Sequence, residues 1–109
     1  MYLIRELMYC KPGKVRSLVE KFHAMNALSD KIGMPRMRIM TDFAAERYWT
    51  VVAEMEVESL ESFEKMMVGS PSAGADPDAM KQMDEIMKGY HDLVDSGKRE
   101  VYRVESPKG

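Results

Sequence analysis

Hydrophobic residues recur along this chain with two periods, one typical of strands and one typical of helices. Residues Tyr2 to Lys11 alternate in polarity as a strand does, and Pro12-Gly13 then breaks the chain. The next apolar residues lie three or four positions apart, which predicts a helix that stops at Gly33-Met34-Pro35. These apolar residues are Val15, Leu18, Val19, Phe22, Met25, Leu28 and Ile32.

The middle of the chain predicts a hairpin with one apolar face. Its first arm is Met37 to Thr41, its turn is Asp42 to Glu46, and its second arm is Arg47 to Val57, which is rich in β-branched and aromatic residues. Alternation puts five apolar residues of the second arm on the face that we expect to meet the helices: Trp49, Val51, Ala53, Met55 and Val57. The opposite face then carries Tyr48, Thr50, Val52, Glu54 and Glu56.

A short helix is predicted directly after the hairpin. Ser59 is a good N-cap, and Phe63, Met66 and Met67 give the helix an apolar side. Ser70 to Ala75 interrupts the helical pattern.

Asp76-Pro77 restarts the helix as its N-cap and first residue. The apolar stripe of this helix ends at Gly97 and comprises Met80, Met83, Ile86, Met87, Tyr90, Leu93 and Val94. Val101 to Glu105 is the last predicted strand, and Ser106 to Gly109 a frayed tail. The order strand, helix, two strands, helix, strand predicts an α+β fold of the ferredoxin-like βαββαβ type, with a four-stranded antiparallel sheet and two helices on one face. We expect residues 1–109 to form one such domain.

Composition limits the classes of function. The chain has 109 residues and a net charge of -2, with 16 basic and 18 acidic residues interspersed, so it lacks the basic surface that nucleic-acid binding requires. No apolar stretch approaches bilayer length, and Arg5-Glu6 breaks the apolar opening as a signal peptide would not, so we expect a cytoplasmic protein without a membrane partner. Cys10 is the single cysteine, and its position in a strand predicts a buried small hydrophobe.

The second sheet face needs a cover. We expect that face to carry a part-apolar set of residues: Tyr48, Thr50, Val52, Arg38, Met40 and Arg103. A core built on one sheet and two helices is small, which favours a homodimer whose two sheets close around a part-polar lumen. A monomer with a solvated sheet face is the alternative.

Two short motifs are similar to those of a known superfamily. Cys10-Lys11-Pro12-Gly13-Lys14 is similar to its Val-Lys-Pro-Gly-Lys turn between the first strand and the first helix. Glu56-Val57-Glu58-Ser59, followed by Phe63 and Ser70-Pro71, is similar to its exit from strand three. On these residues the chain resembles the dimeric α+β barrels, which include antibiotic-biosynthesis-type monooxygenases and NIPSNAP-like proteins. The resemblance implies the dimeric α+β barrel fold over nearly the whole chain.

Residue by residue, the resemblance implies a chain without the catalytic groups of that superfamily. Its cofactor-independent monooxygenases carry Asn and Trp at strand-three positions that are Ala53 and Val57 here. The histidine of its second helix falls near Met66 or Met67. Haem degraders of this fold pair that histidine with an asparagine in strand one, where this chain has none. We therefore expect no haem and no other cofactor.

Two neighbouring residues are weak catalytic candidates, His91 and Tyr90. His91 lies at the edge of the methionine-rich stripe, four residues before Asp95, whose carboxylate could hold it as an acid or base. A boundary histidine without a function is the favoured alternative. Two histidines and one cysteine do not provide the ligands of a metal site, so none is predicted.

Methionine is the unusual component, with twelve residues in the chain. Unbranched methionine side chains can line a pliable pocket, although filling of an ordinary core is the favoured alternative. We expect such a pocket where six residues converge: Trp49, Met55, Met66, Met83, Met87 and Tyr90. Arg38 and Arg103 are candidates to bind the polar end of a ligand there.

Three functions are compatible with these patterns. The first is a small-molecule-binding dimer for an elongated apolar or amphipathic, fatty-acid-like ligand. The second is a cofactor-independent monooxygenase or isomerase, and the third is a structural or regulatory dimer without a ligand. The sequence determines neither the ligand nor which face of strand one points to the helices.

Overall fold

Strands and helices follow one another in the predicted order in the computed structural model, which describes residues 1–67 and 76–106. The strands are β1 (Tyr2–Cys10), β2 (Arg38–Thr41), β3 (Thr50–Val57) and β4 (Val94–Arg103). The helices are α1 (Val15–Ala27), α2 (Ser29–Ile32), α3 (Leu60–Met67), α4 (Pro77–Met87) and α5 (Tyr90–Leu93). The predicted interruption at Ser70 to Ala75 and the end of the predicted tail lie outside the described residues.

The four strands form one antiparallel sheet in the order β2-β3-β1-β4. This order puts β1 and β3 in the centre, as the split βαβ arrangement requires. The predicted ferredoxin-like α+β fold is confirmed.

Strand β1 presents its even-numbered residues to the helices. Ile4, Met8 and Cys10 are buried there, beside the buried residues Val51, Ala53, Met55 and Val57 of β3. We call this side of the sheet the helix side and the opposite side the open face. Cross-strand register and alternation then give the open face these residues: Leu3, Arg5, Leu7, Tyr9, Arg38, Met40, Thr50, Val52, Glu54, Glu56, Ser96, Lys98, Glu100 and Tyr102.

The helix side is packed in three hydrophobic clusters. In the first cluster, Leu18, Phe22 and other residues of α1 and α5 cover Met8 and Val51. The second cluster is Ile4, Met55 and Val57 beneath Phe63 and Met66 of α3. The third cluster is Leu28, Ile32 and Ala79, which joins α2 to α4.

Two predicted helix starts are confirmed by their hydrogen bonds. The hydroxyl of Ser59 accepts from the Ser62 N–H at 3.1 Å, directly before α3. The Asp76 carboxylate accepts from the Asp78 N–H at 2.9 Å, and Pro77 begins α4.

Strand β3 begins at Thr50, so the prediction that it begins at Arg47 is wrong. The Thr50 N–H donates to the Asp42 carboxylate at 2.9 Å, and the Thr50 hydroxyl donates to the Arg47 carbonyl at 2.8 Å. These bonds close a loop in which Trp49 has a φ of 61°. Trp49 and Tyr48 consequently lie in that loop, 44% and 87% exposed, rather than on the two faces of the sheet.

Strand β4 begins at Val94, so the predicted helix through Gly97 and the predicted strand start at Val101 are both wrong. Helix α4 ends at Met87, and Gly89 adopts a left-handed φ of 81° before α5. Beyond α5 the chain is not helical, because Val94–Arg103 pairs antiparallel with the whole of β1. A Cβ atom on Gly97 would lie 2.8 Å from the Leu7 carbonyl oxygen, so this position needs glycine.

Two further predictions need correction. The first helix is not continuous, because α1 ends at Ala27 and the Asn26 side chain bonds the N–H and carbonyl of Met37, each at 2.8 Å. Arg103 lies opposite Tyr2 in the register, which places it on the helix side instead of the open face. Thr50, Val52, Arg38 and Met40 do lie on the open face, as predicted.

Candidate functional site

A carboxylate interrupts the apolar layer on the central strand. Glu6 lies on the helix side of β1, between Ile4 and Met8, which are 0% and 5% exposed. Its own side chain is 24% exposed, so water reaches the carboxylate. Ile4 belongs to the cluster beneath α3, and Met8 to the cluster beneath α1 and α5. Glu6 is therefore a partly exposed carboxylate between two parts of the core.

An arginine from the neighbouring strand holds this carboxylate. Arg99 lies directly opposite Glu6 in the register, and its Nε donates to Glu6 Oε1. The same guanidinium lies 5.3 Å from the centroid of the Phe63 ring. Arg99 thus joins the sheet to α3 through an ion pair and a cation–π contact.

Tyr90, the first residue of α5, is the third polar group of the site. It is half-buried against the first hydrophobic cluster. Burial raises the pKa of its phenol, and the nearby charges of Glu6 and Cys10 raise that pKa further. The phenol therefore stays protonated at neutral pH and acts as a hydrogen-bond donor rather than as a base.

His91, the other weak catalytic candidate, is less favourably placed. It is exposed, and its ring contacts the Tyr90 ring edge-on with centroids 5.4 Å apart. The carboxylate whose charge contributes to the raised pKa of Tyr90 is Glu6. Within the described ranges, no three His, Cys, Asp or Glu side chains are placed to hold a metal ion.

The six residues expected to converge on a pocket are distributed over several parts of the molecule. Met55 and Met66 belong to the cluster beneath α3. Met83 packs against the cluster between α2 and α4, and Tyr90 against the cluster beneath α1. Met87 ends α4, and Trp49 lies in the β2–β3 loop. The predicted convergence is wrong, because the helical stripe ends at Met87 and β3 starts after Trp49.

The two arginines expected at a ligand's polar end lie on opposite sides of the sheet. Arg38 is on the open face, where it lines a cleft of about 360 Å³ next to Arg36, Glu54 and Glu56. Arg103 is exposed at the end of β4, on the helix side. The guanidinium that pairs with Glu6 on the helix side is instead that of Arg99, whose side chain is 44% exposed.

Sequence reasoning missed Glu6 and Arg99 as a site, although one signal was present. Strand one carries apolar residues in both phases, with Leu3 and Leu7 in one and Ile4 and Met8 in the other. Only the alternating set with Ile4 and Met8 contains Glu6. An assignment of that set to the buried face would therefore have predicted a carboxylate next to the core.

No family model matches the chain, and no curated protein matches it in sequence. Solved structures do match. An uncharacterised NIPSNAP-like domain protein from Burkholderia xenovorans is similar with a TM-score of 0.69 at 14% identity, over 98% of this chain and 89% of its own. The chain has the ferredoxin-like fold. The resemblance expected from the two sequence motifs is thereby confirmed at the level of fold.

Two further structures carry the same architecture. A proposed antibiotic biosynthesis monooxygenase from Deinococcus radiodurans has a TM-score of 0.61 at 13% identity, over 100% of this chain and 97% of its own. A dimeric protein of unknown function with a ferredoxin-like fold, from Bacteroides fragilis, has a TM-score of 0.53 at 14% identity, over 94% and 95% of the two chains. At such identities the likeness shows the fold alone, and activity has to be argued from the residues of the site.

Among residues 1–67 and 76–106, no helix has the length and apolar character needed to cross a bilayer.

Proposed function

We propose that the protein is a homodimer in which each chain binds a small amphipathic molecule on the helix side of the sheet, beside the Glu6–Arg99 pair. The observation that supports this proposal is the Glu6–Arg99 pair, whose side chains are 24% and 44% exposed, beside the buried residues Ile4 and Met8. Charged side chains in a core require partners and add little stability compared with apolar residues of similar volume. A partly solvated pair at this position is therefore better explained by recognition of a ligand than by folding.

The arrangement favours a ligand with an apolar body and a neutral polar end. The apolar body would lie along the cluster of Ile4, Met55 and Met66 beneath α3. Arg99 and the protonated phenol of Tyr90 offer hydrogen-bond donors to a hydroxyl or carbonyl oxygen. The sequence predicted an acidic end, but Glu6 already occupies Arg99 and would repel a second carboxylate.

Two probes of equal chain length test this proposal, 1-octanol and octanoate. Each is titrated into the wild type and into Glu6→Gln, which keeps the shape of the side chain and removes its charge. Binding is measured by calorimetry. Wild type should bind 1-octanol at least about tenfold more tightly than octanoate, and Glu6→Gln should bind octanoate more tightly than wild type does. Glu61→Gln, which breaks an exposed ion pair on α3, is the matched control and should bind like wild type.

Binding of neither probe, or an unchanged preference in Glu6→Gln, would contradict the helix-side site. The first of these results would favour the remaining possibility, a structural or regulatory dimer without a ligand.

The proposed dimer interface is the open face. Leu7, Val52 and Met40 are only half-buried there in the single chain, and Tyr102 is 47% exposed, so the face is a part-apolar surface that needs a cover. Sedimentation should show two chains per particle at micromolar concentration. Val52→Asp places a charge in the interface and should give monomers, while a monomeric wild type would contradict the dimer.

A second candidate function is proton transfer without a cofactor, which the position of Tyr90 near Glu6 favours. Glu6 would accept a proton from the carbon next to a ketone, and the electron pair would move onto the carbonyl oxygen. Tyr90 and Arg99 would donate hydrogen bonds to that oxygen, and return of the proton would restore Glu6. In D₂O, Glu6 would exchange this proton for a deuteron before returning it. Deuterium exchange at the α-carbons of 2-octanone should therefore be faster with wild type than in buffer alone, and about 100-fold slower with Glu6→Gln than with wild type. Equal exchange with both proteins would contradict this function.

A cytoplasmic location and the lack of a cofactor or nucleic-acid partner stay predictions from the sequence.

A further inference from the structure

One row of charged residues crosses all four strands on the open face. Arg38, Glu54, Arg5 and Glu100 lie directly opposite one another from β2 to β4, and we call them the charged row. Glu54 accepts from Arg38 at 3.1 Å, and Arg5 donates to Glu100 at 3.2 Å. The Nε of Arg5 is 3.0 Å from Glu54 Oε2, close enough for an ion pair although its N–H is not directed at that oxygen.

The sign of the charge alternates along the charged row, plus on β2, minus on β3, plus on β1 and minus on β4. A row of four alternating charges has opposite signs at its two ends. When such a row is turned around and laid on a copy of itself, every charge meets one of opposite sign. When it is laid on a copy without being turned around, every charge meets its own kind.

We infer that the charged row fixes how two copies of this chain pack, with the two-fold axis parallel to the strands. This inference rests on the homodimer proposed above. In that arrangement Arg38 faces Glu100 of the partner subunit, and Glu54 faces Arg5 of the partner subunit. An axis across the strands would put Arg38 against the partner's Arg38, and like charges in contact weaken an interface strongly.

The adjacent row favours the same axis. Met40, Val52, Leu7 and Lys98 lie opposite one another two residues along the strands from the charged row. With the axis along the strands, Leu7 meets Val52 of the partner subunit, so apolar residues cover apolar residues. A two-fold axis across the strands could avoid contacts between like charges if it passed between the two rows. It would then place the apolar row of one chain on the charged row of the other, and the charges would be desolvated without partners.

Sheet twist displaces facing residues at the edges of the sheets, but their side chains can still make contact. Packed sheets cross at about 30°, and an edge strand lies about 7 Å from the middle of a four-stranded sheet. The resulting displacement between facing residues at the edges is about 4 Å, which the long side chain of Arg38 can span. Arg38 is 77% exposed in the single chain, so its guanidinium is accessible to a second copy.

Charge reversal at the two edges tests the inference. Arg38→Glu alone puts two acidic residues together at each end of the interface, and Glu100→Arg alone puts two basic residues together. Each variant should dimerise at least about tenfold more weakly than wild type, as measured by sedimentation. An equimolar mixture of the two variants should form the heterodimer in preference to either homodimer, which native mass spectrometry resolves by mass.

The double variant Arg38→Glu/Glu100→Arg separates contacts between chains from contacts within a chain. It loses the Arg38–Glu54 and Arg5–Glu100 pairs of the single chain, yet its row is again complementary to a turned copy of itself. Its homodimer should therefore recover most of the affinity that either single variant lost. A double variant weaker than both single variants, or a mixture without a heterodimer preference, would overturn the inference while leaving a wild-type dimer intact. A monomeric wild type would instead contradict the proposed dimer.

Neutral variants keep the test decisive if charge reversal prevents folding. Arg38 and Glu100 lie on opposite edge strands of one chain, with β3 and β1 between them. A relay through Glu54 and Arg5 would couple Arg38→Gln and Glu100→Gln in the unfolding of a monomeric Val52→Asp background as well. Coupling that is seen in the dimer dissociation constant and is absent from that unfolding therefore comes from contact between chains. Coupling of at least about threefold supports the inference, and additive effects overturn it. Glu85→Gln, in an exposed ion pair on α4, should leave dimerisation unchanged.

Discussion

The two sides of the sheet carry the same kind of ion pair in different surroundings. Strands β1 and β4 bring Arg5-Glu6 opposite Arg99-Glu100, so Arg5 pairs with Glu100 on the open face and Glu6 pairs with Arg99 on the helix side. On the open face the pair is part of a row of charges that crosses the sheet. On the helix side the pair lies between two hydrophobic clusters.

This difference teaches that the location of an ion pair matters more than its composition. The two pairs together fix the strand register, because a slip of one residue would put Arg5 opposite Arg99 or Glu6 opposite Glu100. Beyond that shared role, we propose that the charged row meets a second copy of the chain. For the Glu6–Arg99 pair we propose that it meets a small molecule.

The largest expected effect is the loss of core packing on one side of β1. Ile4→Ala should lower the free energy of unfolding by about 2–5 kcal/mol, because Ile4 is fully buried beneath α3. Leu3→Ala, one residue away on the open face, should lower it by about 1 kcal/mol, because Leu3 is only half-buried. Urea unfolding of both variants in a Val52→Asp background would remove the contribution of dimerisation. Equal losses would contradict the assignment of the two faces.

A smaller effect is expected from an apolar replacement of the helix-side pair. Glu6→Leu should lower the free energy of unfolding by about 1–2 kcal/mol, because it leaves Arg99 without its partner. Glu6→Leu/Arg99→Met should restore stability to within about 1 kcal/mol of wild type, since apolar residues of similar volume can replace an ion pair.

The double variant should bind 1-octanol more weakly than wild type, as measured by calorimetry, because it lacks the Arg99 donor. If the double variant is stable and binds the probe as tightly as wild type, the pair has no part in recognition.

The sequence predicted the order of the elements because local signals were unambiguous at their starts. Pro12-Gly13, Ser59 and Asp76-Pro77 each have a specific backbone role, and the structure places helix starts at or near all three. The late start of β3 and the early start of β4 depend on contacts between distant segments. Asp42 binds Thr50 across a loop, and β1 pairs with residues that have a helical period in the sequence.

The candidate site was less accessible to sequence reasoning than the fold. A register is needed to know that Glu6 meets Arg99, because the two are far apart in the chain and each has several charged neighbours. The methionine pattern pointed to a single pocket, whereas Met55, Met66 and Met83 fill gaps in separate clusters, as the adaptability of methionine allows.

A further effect concerns alkaline pH and reports on the helix side only. Burial and the charges of Glu6 and Cys10 raise the pKa of Tyr90 above its ordinary value of 10.0. The unfolded chain therefore releases this proton at lower pH than the folded chain does, and the stability linked to Tyr90 is present below pH 10 and lost as pH rises above it. Urea midpoints should fall more steeply above pH 10 in wild type than in Tyr90→Phe. Parallel pH profiles would contradict the buried position of Tyr90.

The smallest expected effect is on the reactivity of Cys10. Burial, together with the charges of Asp42 and Asp95, raises the pKa of this thiol above its ordinary value of 9.0. Thiolate is the reactive form, so the folded protein should react with a disulfide reagent at pH 8 at least about tenfold more slowly than the urea-unfolded chain. Equal rates would show that Cys10 is accessible, against its buried place in the first cluster.

The methionines permit one measurement that reads both sides of the sheet together. Met8, Met55 and Met66 lie on the helix side, and Met40 lies on the open face. In spectra of protein labelled with ¹³C at the methionine methyl groups, 1-octanol should shift the signals of Met55 and Met66 and leave Met40 in place. Dilution of wild type below its dimer dissociation constant should shift Met40 instead, because the open face then loses its cover. A Met40 signal that responds to 1-octanol while the helix-side signals do not would contradict the assignment of a ligand to one side and a second copy to the other.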